Sequence, residues 1–207
     1  MSDSQSFDLT PSPRLLQVLG EIPMDPWACI AELVDNSFDA FGGLSLAGGD
    51  WQPRVEIEMP TDGSPKLVIK DNGFGMDAEA LEKSLKAGYS GKSSFGSFGL
   101  FGMGFNIASA RLGTCTTVRT SRKGDGEWLE VTIDPSELQR KETFIVPYRT
   151  VAKEDPLASG TSITVDLQPA LAAELSVKGN IRKIRNQLGN VYSYLLRTEI
   201  PSISDLP

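Results

Sequence analysis

The 207-residue chain contains no histidine. That absence excludes imidazole acid–base catalysis, Ser-His-Asp and Cys-His triads, the common His-containing zinc sites and phosphorylation on a histidine of this chain. Cysteine is scarce: Cys29 and Cys115 stand far apart and neither belongs to a C-x-x-C pair. A disulfide framework is not indicated, and a reducing compartment is the default. No apolar run reaches the length of a membrane span, and no basic-then-apolar leader follows Met1, so neither a membrane helix nor a secretory signal is expected. Positive charge is also short. Against 27 Asp and Glu there are 20 Lys and Arg, leaving a formal net charge of −7. Non-specific nucleic-acid binding needs cations to displace phosphate counterions, so this balance argues against it for this segment. An intracellular protein is expected, cytoplasmic or, in a eukaryote, nuclear. With 40% hydrophobic and 23% charged residues the chain can support a packed core.

Residues 1–13 are polar and carry two prolines, which reads as an arm; a short helix over 14–19 is closed by Gly20, and 1–24 together form an N-terminal arm or cap. Asp25-Pro26 then supplies a helix cap followed by proline at the first helical position. From there Trp27, Ile30, Val34, Phe38 and Phe41 advance by three or four and share one helix face, ended by Gly42-Gly43. Runs at 54–59 and 66–69, separated by the turn residues 61–65, predict a β-hairpin. A short helix is expected over 77–85 and another over 105–112. Strands are expected at 114–120, 128–133, 143–148 and 162–167. A long helix over 177–197 aligns Ile181, Ile184, Leu188, Val191 and Leu195. Helices and strands in blocks, rather than in regular alternation, favour an α+β two-layer sandwich with helices on one face of the sheet.

Three constellations carry chemistry. On the 26–41 helix, Glu32, Asn36 and Asp39 are spaced i, i+4, i+7, roughly opposite the apolar stripe. Three polar residues there also fit a solvated helix face. A carboxylate beside an amide oxygen, however, can orient a water and hold hydrated Mg²⁺, which takes few protein ligands. The second is Asp71-Asn72-Gly73-Phe74-Gly75-Met76, directly after a strand. Its paired glycines let the backbone turn tightly and approach a flat ligand, while Asp71 can accept a hydrogen bond from an exocyclic amine. An ordinary D-N-G turn would read the same way, and no Walker A lysine follows. The third runs from Gly88 to Asn106, with Gly88, Gly91, Gly96, Gly99, Gly102 and Gly104 leading into a helix. Free N–H groups and the positive end of a helix dipole suit a polyphosphate, and Lys86 and Lys92 flank the segment. Its four phenylalanines distinguish it from a plain Gly/Ser linker.

In this order, the residues closely resemble the GHKL ATPase superfamily, which includes DNA gyrase B subunits, heat-shock chaperones of the ninety-kilodalton class, MutL and MORC proteins and histidine kinases. Glu32 to Ala40 looks like its N-box, and Asp71-x-Gly73-x-Gly75-Met76 like its G1 box. Gly99-x-Phe101-Gly102-Met103-Gly104-Phe105 looks like its G2 box, and Gly160-Thr161-x-Ile163 like the Gly-Thr strand of the adenine pocket. The G2 form and the lack of histidine favour the MORC-like or chaperone-like branch, although Asn106 stands where MORC members tend to carry lysine.

The resemblance implies a Bergerat fold: a mixed, mostly antiparallel sheet with helices on one face, occupying 25–200, with an ATP lid at about 86–104. It implies ATP and Mg²⁺ as ligands. Glu32 would be the general base and Asn36 the Mg²⁺ ligand. Asp71 would bind the adenine amine, with Gly73, Gly75 and Met76 beside the base. Asp39 would support the pocket, and Thr161 would reach Asp71 or the adenine through water. Gly99, Phe101, Gly102, Met103, Gly104 and Phe105 would surround the phosphates, where Lys86 and Lys92 would neutralise charge. Implied further are slow hydrolysis, homodimerisation with ATP bound, and a transducer domain beyond the 201–207 tail. The rival reading is a nucleotide-gated binding module with negligible hydrolysis of its own.

Overall fold

A computed structural model describes residues 11–42, 52–86 and 103–197. The chain enters through α1 (Leu15–Leu19) and α2 (Pro26–Gly42), forms β1 (Val55–Glu58) and β2 (Lys66–Asp71), then α3 (Ala78–Leu85) and α4 (Gly104–Leu112). It continues through β3 (Gly113–Ser121), β4 (Glu127–Ile133), α5 (Pro135–Arg140), β5 (Tyr148–Ala152) and β6 (Gly160–Leu167), and ends in α6 (Pro169–Ser176) and α7 (Lys178–Arg197). The six strands described form one sheet in the order β1-β2-β6-β3-β4-β5. Every pairing among them is antiparallel, and the α+β sandwich expected from the sequence is the observed architecture.

The two faces of the sheet follow from the period of two along each strand. Leu67 and Ile69 on β2, Val118 on β3, Val131 on β4 and Ile163 and Val165 on β6 are buried. They pack with Cys29, Ile30, Leu33 and Val34 of α2, Ala108 and Leu112 of α4, and Ile184 and Leu188 of α7 in one core. Alternate positions turn outward and carry cross-strand ion pairs, Lys70 with Glu58, Lys66 with Asp166 and Arg149 with Glu130. Because only one face is apolar, a one-residue slip would bury those charges, which pins the register.

The helices start where their local chemistry directs. The Asp25 carbonyl accepts from the N–H groups of Ala28 and Cys29 at 2.9 and 3.0 Å, with Pro26 leading α2. Asp77 caps α3 through its side chain, which accepts from the Ala80 N–H at 2.9 Å. The hairpin expected at 54–69 forms as β1 and β2, closed by a Thr61–Ser64 bridge. Leu16 and Leu19 of α1 join Leu138 of α5 in a small second cluster, so residues 15–19 are packed onto the domain.

Three expectations need correction. Residues 143–147 form no strand; the fifth strand lies at Tyr148–Ala152. Thr143 instead donates its N–H to the Leu138 carbonyl to close α5, and Ile145 is 83% exposed. The true strand is an edge whose residues are nearly all exposed, so no apolar alternation marked it. Helices α5 and α6 were not anticipated, although Asp134, which caps Ser136 and Glu137, and Pro135 are legible start signals. On α7 the buried line runs Ile184, Leu188, Tyr192, leaving Val191 exposed.

Candidate functional site

The end of β2 delivers Asp71 into the gap between the sheet and α2. There its carboxylate accepts three hydrogen bonds: from Ser37 Oγ of α2 at 3.1 Å, from the Gly73 N–H at 2.9 Å and from the Thr161 N–H at 3.1 Å. Burial is the larger influence and raises the Asp71 pKa above an ordinary aspartate's, with the three donors pulling it back. The result is a carboxylate oriented by three neutral donors among the described residues.

Thr161 thus meets Asp71 directly, through its backbone N–H. Its hydroxyl lies 3.0 Å from Thr120 Oγ1. Thr120 is fully buried, accepts from the Met76 N–H at 3.0 Å and faces the Gly160 carbonyl at 3.0 Å. A hydroxyl has one proton and two lone pairs. Donation to Gly160 leaves Thr120 to accept from both Met76 and Thr161, which saturates it. This bolt between β3, β6 and the Asp71–Met76 loop was missed by sequence reasoning, because a threonine in a β-strand is unremarkable.

Two glycines are required by close approach. Gly75 has φ +68°, and a Cβ there would meet the Ser121 carbonyl oxygen at 1.9 Å. Gly160 has φ +129°, and a Cβ would lie 2.1 Å from the Asp71 carbonyl oxygen. The loop thus folds tightly against the ends of β3 and β6 and fixes the depth at which Asp71 sits.

Glu32 lies across from the start of α4: a Cβ on Gly104 would stand 2.1 Å from Glu32 Oε2. The carboxylate consequently rests at a helix N-terminus, where unpaired N–H groups favour negative charge. Burial, and secondarily the charge of Asp35, raise its pKa above a free glutamate's. Asn36, one turn on, is exposed, and its Nδ2 donates to the Glu32 carbonyl at 3.1 Å. The amide oxygen is then the end that could face a cation. One neutral hard oxygen fits Mg²⁺, which keeps several waters and draws its other ligands from phosphates. Asp39 is half-buried a turn further along.

Phe105 is half-buried against the main core, and Met103 precedes α4 and packs on the Leu16 cluster. Asn106 is buried, with Nδ2 3.4 Å from the Leu85 carbonyl, so it links α4 to the end of α3. Lys86 is exposed and paired with Glu82 at 2.7 Å. The expectations for Lys92, Gly99, Phe101 and Gly102 lie outside the described residues. Beside the site, a groove of about 970 Å³ is lined by Leu81, Lys86 and Asn106 among others, but not by Asp71 or Glu32. Among the described residues no helix is long and apolar enough to cross a membrane.

Comparison with known proteins bears on this geometry. The sequence profile of the family described as histidine kinase-, DNA gyrase B-, and HSP90-like ATPase matches residues 24–164, from the start of α2 into β6. Protein MICRORCHIDIA 3 of Arabidopsis thaliana is 38% identical over 97 residues, covering 46% of this chain and 16% of that protein. Protein MICRORCHIDIA 7 of the same plant is 32% identical over 140 residues, 63% of this chain and 19% of that protein. MORC family CW-type zinc finger protein 3 of Mus musculus is 29% identical over 191 residues, 84% of this chain and 19% of that protein. The matched part of each relative is thus 16% to 19% of its length.

Proposed function

The chain belongs to the histidine kinase-, DNA gyrase B- and HSP90-like ATPase family, and on that premise we propose that it binds ATP with Mg²⁺ and hydrolyses it slowly. The observation that carries this reading is that one helix, α2, ties together two carboxylates: its Ser37 holds Asp71, and it bears Glu32 itself. Asp71 is fixed by three donors at the bottom of the site, while Glu32 reaches the N-terminus of α4 from the neighbouring helix. An ATP molecule with its adenine amine on Asp71 would send its phosphates toward that helix terminus, which attracts anions.

In this reading Glu32 orients the attacking water and accepts its proton. The α4 N-terminus, with Gly104, stabilises charge developing on the phosphoryl oxygens, and Asn36 holds the hydrated Mg²⁺. When bound, that ion neutralises phosphate charge. In-line phosphoryl transfer needs positioning and charge compensation more than covalent participation by the protein, which agrees with a site lacking histidine or an activated nucleophile. Gly73, Gly75 and Met76 would flank the base, Thr161 and Asp39 would support the pocket, and Phe105 and Met103 would anchor the α4 end. Lys86 would have to exchange Glu82 for phosphate, and Lys92, Gly99, Phe101 and Gly102 would complete the phosphate shell.

The microrchidia and MORC relatives support placing this domain in a longer, MORC-like protein. We assign to it a cycle in which ATP closes the lid and joins two copies, with a downstream transducer domain completing the machinery. Light scattering with a non-hydrolysable ATP analogue should then show a dimer; a monomer at saturating analogue would contradict the cycle.

The roles separate by substitution. Glu32→Ala should abolish phosphate release yet preserve ATP affinity, whereas Asp71→Asn should impair affinity first. Equal loss of binding in both variants would contradict this division of labour. Binding without any release in the unsubstituted chain would favour the nucleotide-gated module over the enzyme.

A further inference from the structure

Tyr192 of α7 lies outside the residues matched by the family profile, yet it hydrogen-bonds to the helix that carries Glu32. It is buried, and its ring stacks on Phe38 of α2 with centroids 4.9 Å apart and planes 27° from parallel. Its hydroxyl lies 2.7 Å from Asp35 Oδ1 and 3.0 Å from the Ala31 carbonyl oxygen. A core aromatic chosen only to fill space needs no hydroxyl, since phenylalanine supplies the same ring. Here the hydroxyl reaches into α2 and meets a side chain and a backbone carbonyl four residues apart.

Those two acceptors, which share the single phenolic proton, bracket one helical turn. Glu32 lies within it and Asn36 follows it immediately. The next carbonyl, that of Glu32, takes a second donor from Asn36 Nδ2 at 3.1 Å. Side-chain donors at helix carbonyls tilt the peptide groups they bind and can bend the helix locally. Two side-chain donors, Tyr192 from α7 and Asn36 from α2 itself, thus meet consecutive carbonyls of this turn.

We propose that Tyr192 is a positioning residue for the ATP reaction: through Asp35 and the Ala31 carbonyl it fixes the α2 turn that presents Glu32 and Asn36. The inference rests on the functional reading above and names how that site is held. It also makes α7 part of the machinery. Asp71 should feel this clamp less than Glu32 and Asn36 do, because two of its three donors, the Gly73 and Thr161 N–H groups, lie outside α2.

The test uses Tyr192→Phe, Asp35→Ala and the double variant, each characterised by calorimetric ATP titration in Mg²⁺ and in EDTA and by phosphate release. Tyr192→Phe should keep ATP affinity in EDTA within about twofold, reduce the gain conferred by Mg²⁺ severalfold and lower turnover roughly tenfold. Asp35→Ala removes one acceptor and leaves the hydroxyl on the Ala31 carbonyl, so it should lower turnover by less than Tyr192→Phe, and the double variant should lose no more than Tyr192→Phe alone. Asp35→Asn keeps an acceptor oxygen and should retain turnover near that of the unsubstituted chain. Unchanged turnover in Tyr192→Phe, or losses that add in the double variant, would overturn the inference alone. So would equal falls in EDTA affinity and in turnover, which mark a general packing role. Absence of ATP binding in the unsubstituted chain would overturn the functional reading and this inference together.

Discussion

Asp71 accepts three hydrogen bonds and still titrates above an ordinary aspartate, because burial outweighs them. Asparagine can keep all three contacts: its oxygen accepts from the Gly73 and Thr161 N–H groups, and its NH₂ donates to Ser37 Oγ. Asp71→Asn should therefore fold at least as stably as the parent without nucleotide, while the NH₂ it turns toward the ligand cannot accept from an adenine amine. The pH dependence has a definite sign. The folded-state pKa of Asp71 lies above its unfolded value, so the folded chain takes up the proton first as pH falls. Relative to Asp71→Asn, the parent should gain stability as pH drops from neutral through that raised pKa. Urea unfolding of both proteins across this range measures the difference. A parent that instead loses ground to Asp71→Asn on acidification would contradict burial as the governing influence.

At the scale of elements, the site has close approaches at three glycines, two against backbone and one against the Glu32 side chain, and Gly75 and Gly104 test the two kinds. A methyl at Gly75 would strike the Ser121 carbonyl at 1.9 Å with φ at +68°. That carbonyl is backbone and cannot swing aside, so Gly75→Ala should destabilise the domain by about 2 kcal/mol or more in thermal or urea unfolding. A methyl at Gly104 would meet only the tip of the Glu32 side chain, at 2.1 Å. That tip can move, and alanine is the better helix former. Gly104→Ala should thus keep its stability within about 1 kcal/mol while lowering phosphate release, because Glu32 is displaced. The elements that position these glycines were legible in the sequence because their signals were local: Asp25-Pro26 for α2, the turn after β1, the glycine pairs beside strands. The 143–148 error had the opposite cause. An apolar run there lines a groove rather than a sheet, and the neighbouring edge strand has no buried side to reveal it. Tyr192 was passed over for Val191 because a wheel drawn on one helix cannot tell i+3 from i+4 without the partner helix.

For the whole molecule, the sandwich brings Glu32 of α2 against Gly104 of α4, and Asp71 of β2 against Thr161 of β6, which meets Thr120 of β3. Glu32, Asp71, Gly104 and Thr161 were each named as candidates from spacing and family resemblance. Thr120, Ser37 and Asp35 were not, since their roles arise only from long-range pairing: the Thr120 bolt spans 40 residues to Gly160 and 44 to Met76. Bound nucleotide should act on the whole domain. Ligand at 100 times Kd adds about 2.7 kcal/mol to stability when it binds only the folded state, so saturating Mg·ATP should raise the unfolding temperature, and Asp71→Asn should lose that response. The measurement that tests the central claim most directly is calorimetric titration of Mg·ATP into this chain, with phosphate release followed on the same sample and on Glu32→Ala. The account predicts saturable binding in both proteins and release that depends on Glu32. No binding, or release undiminished in Glu32→Ala, would contradict it.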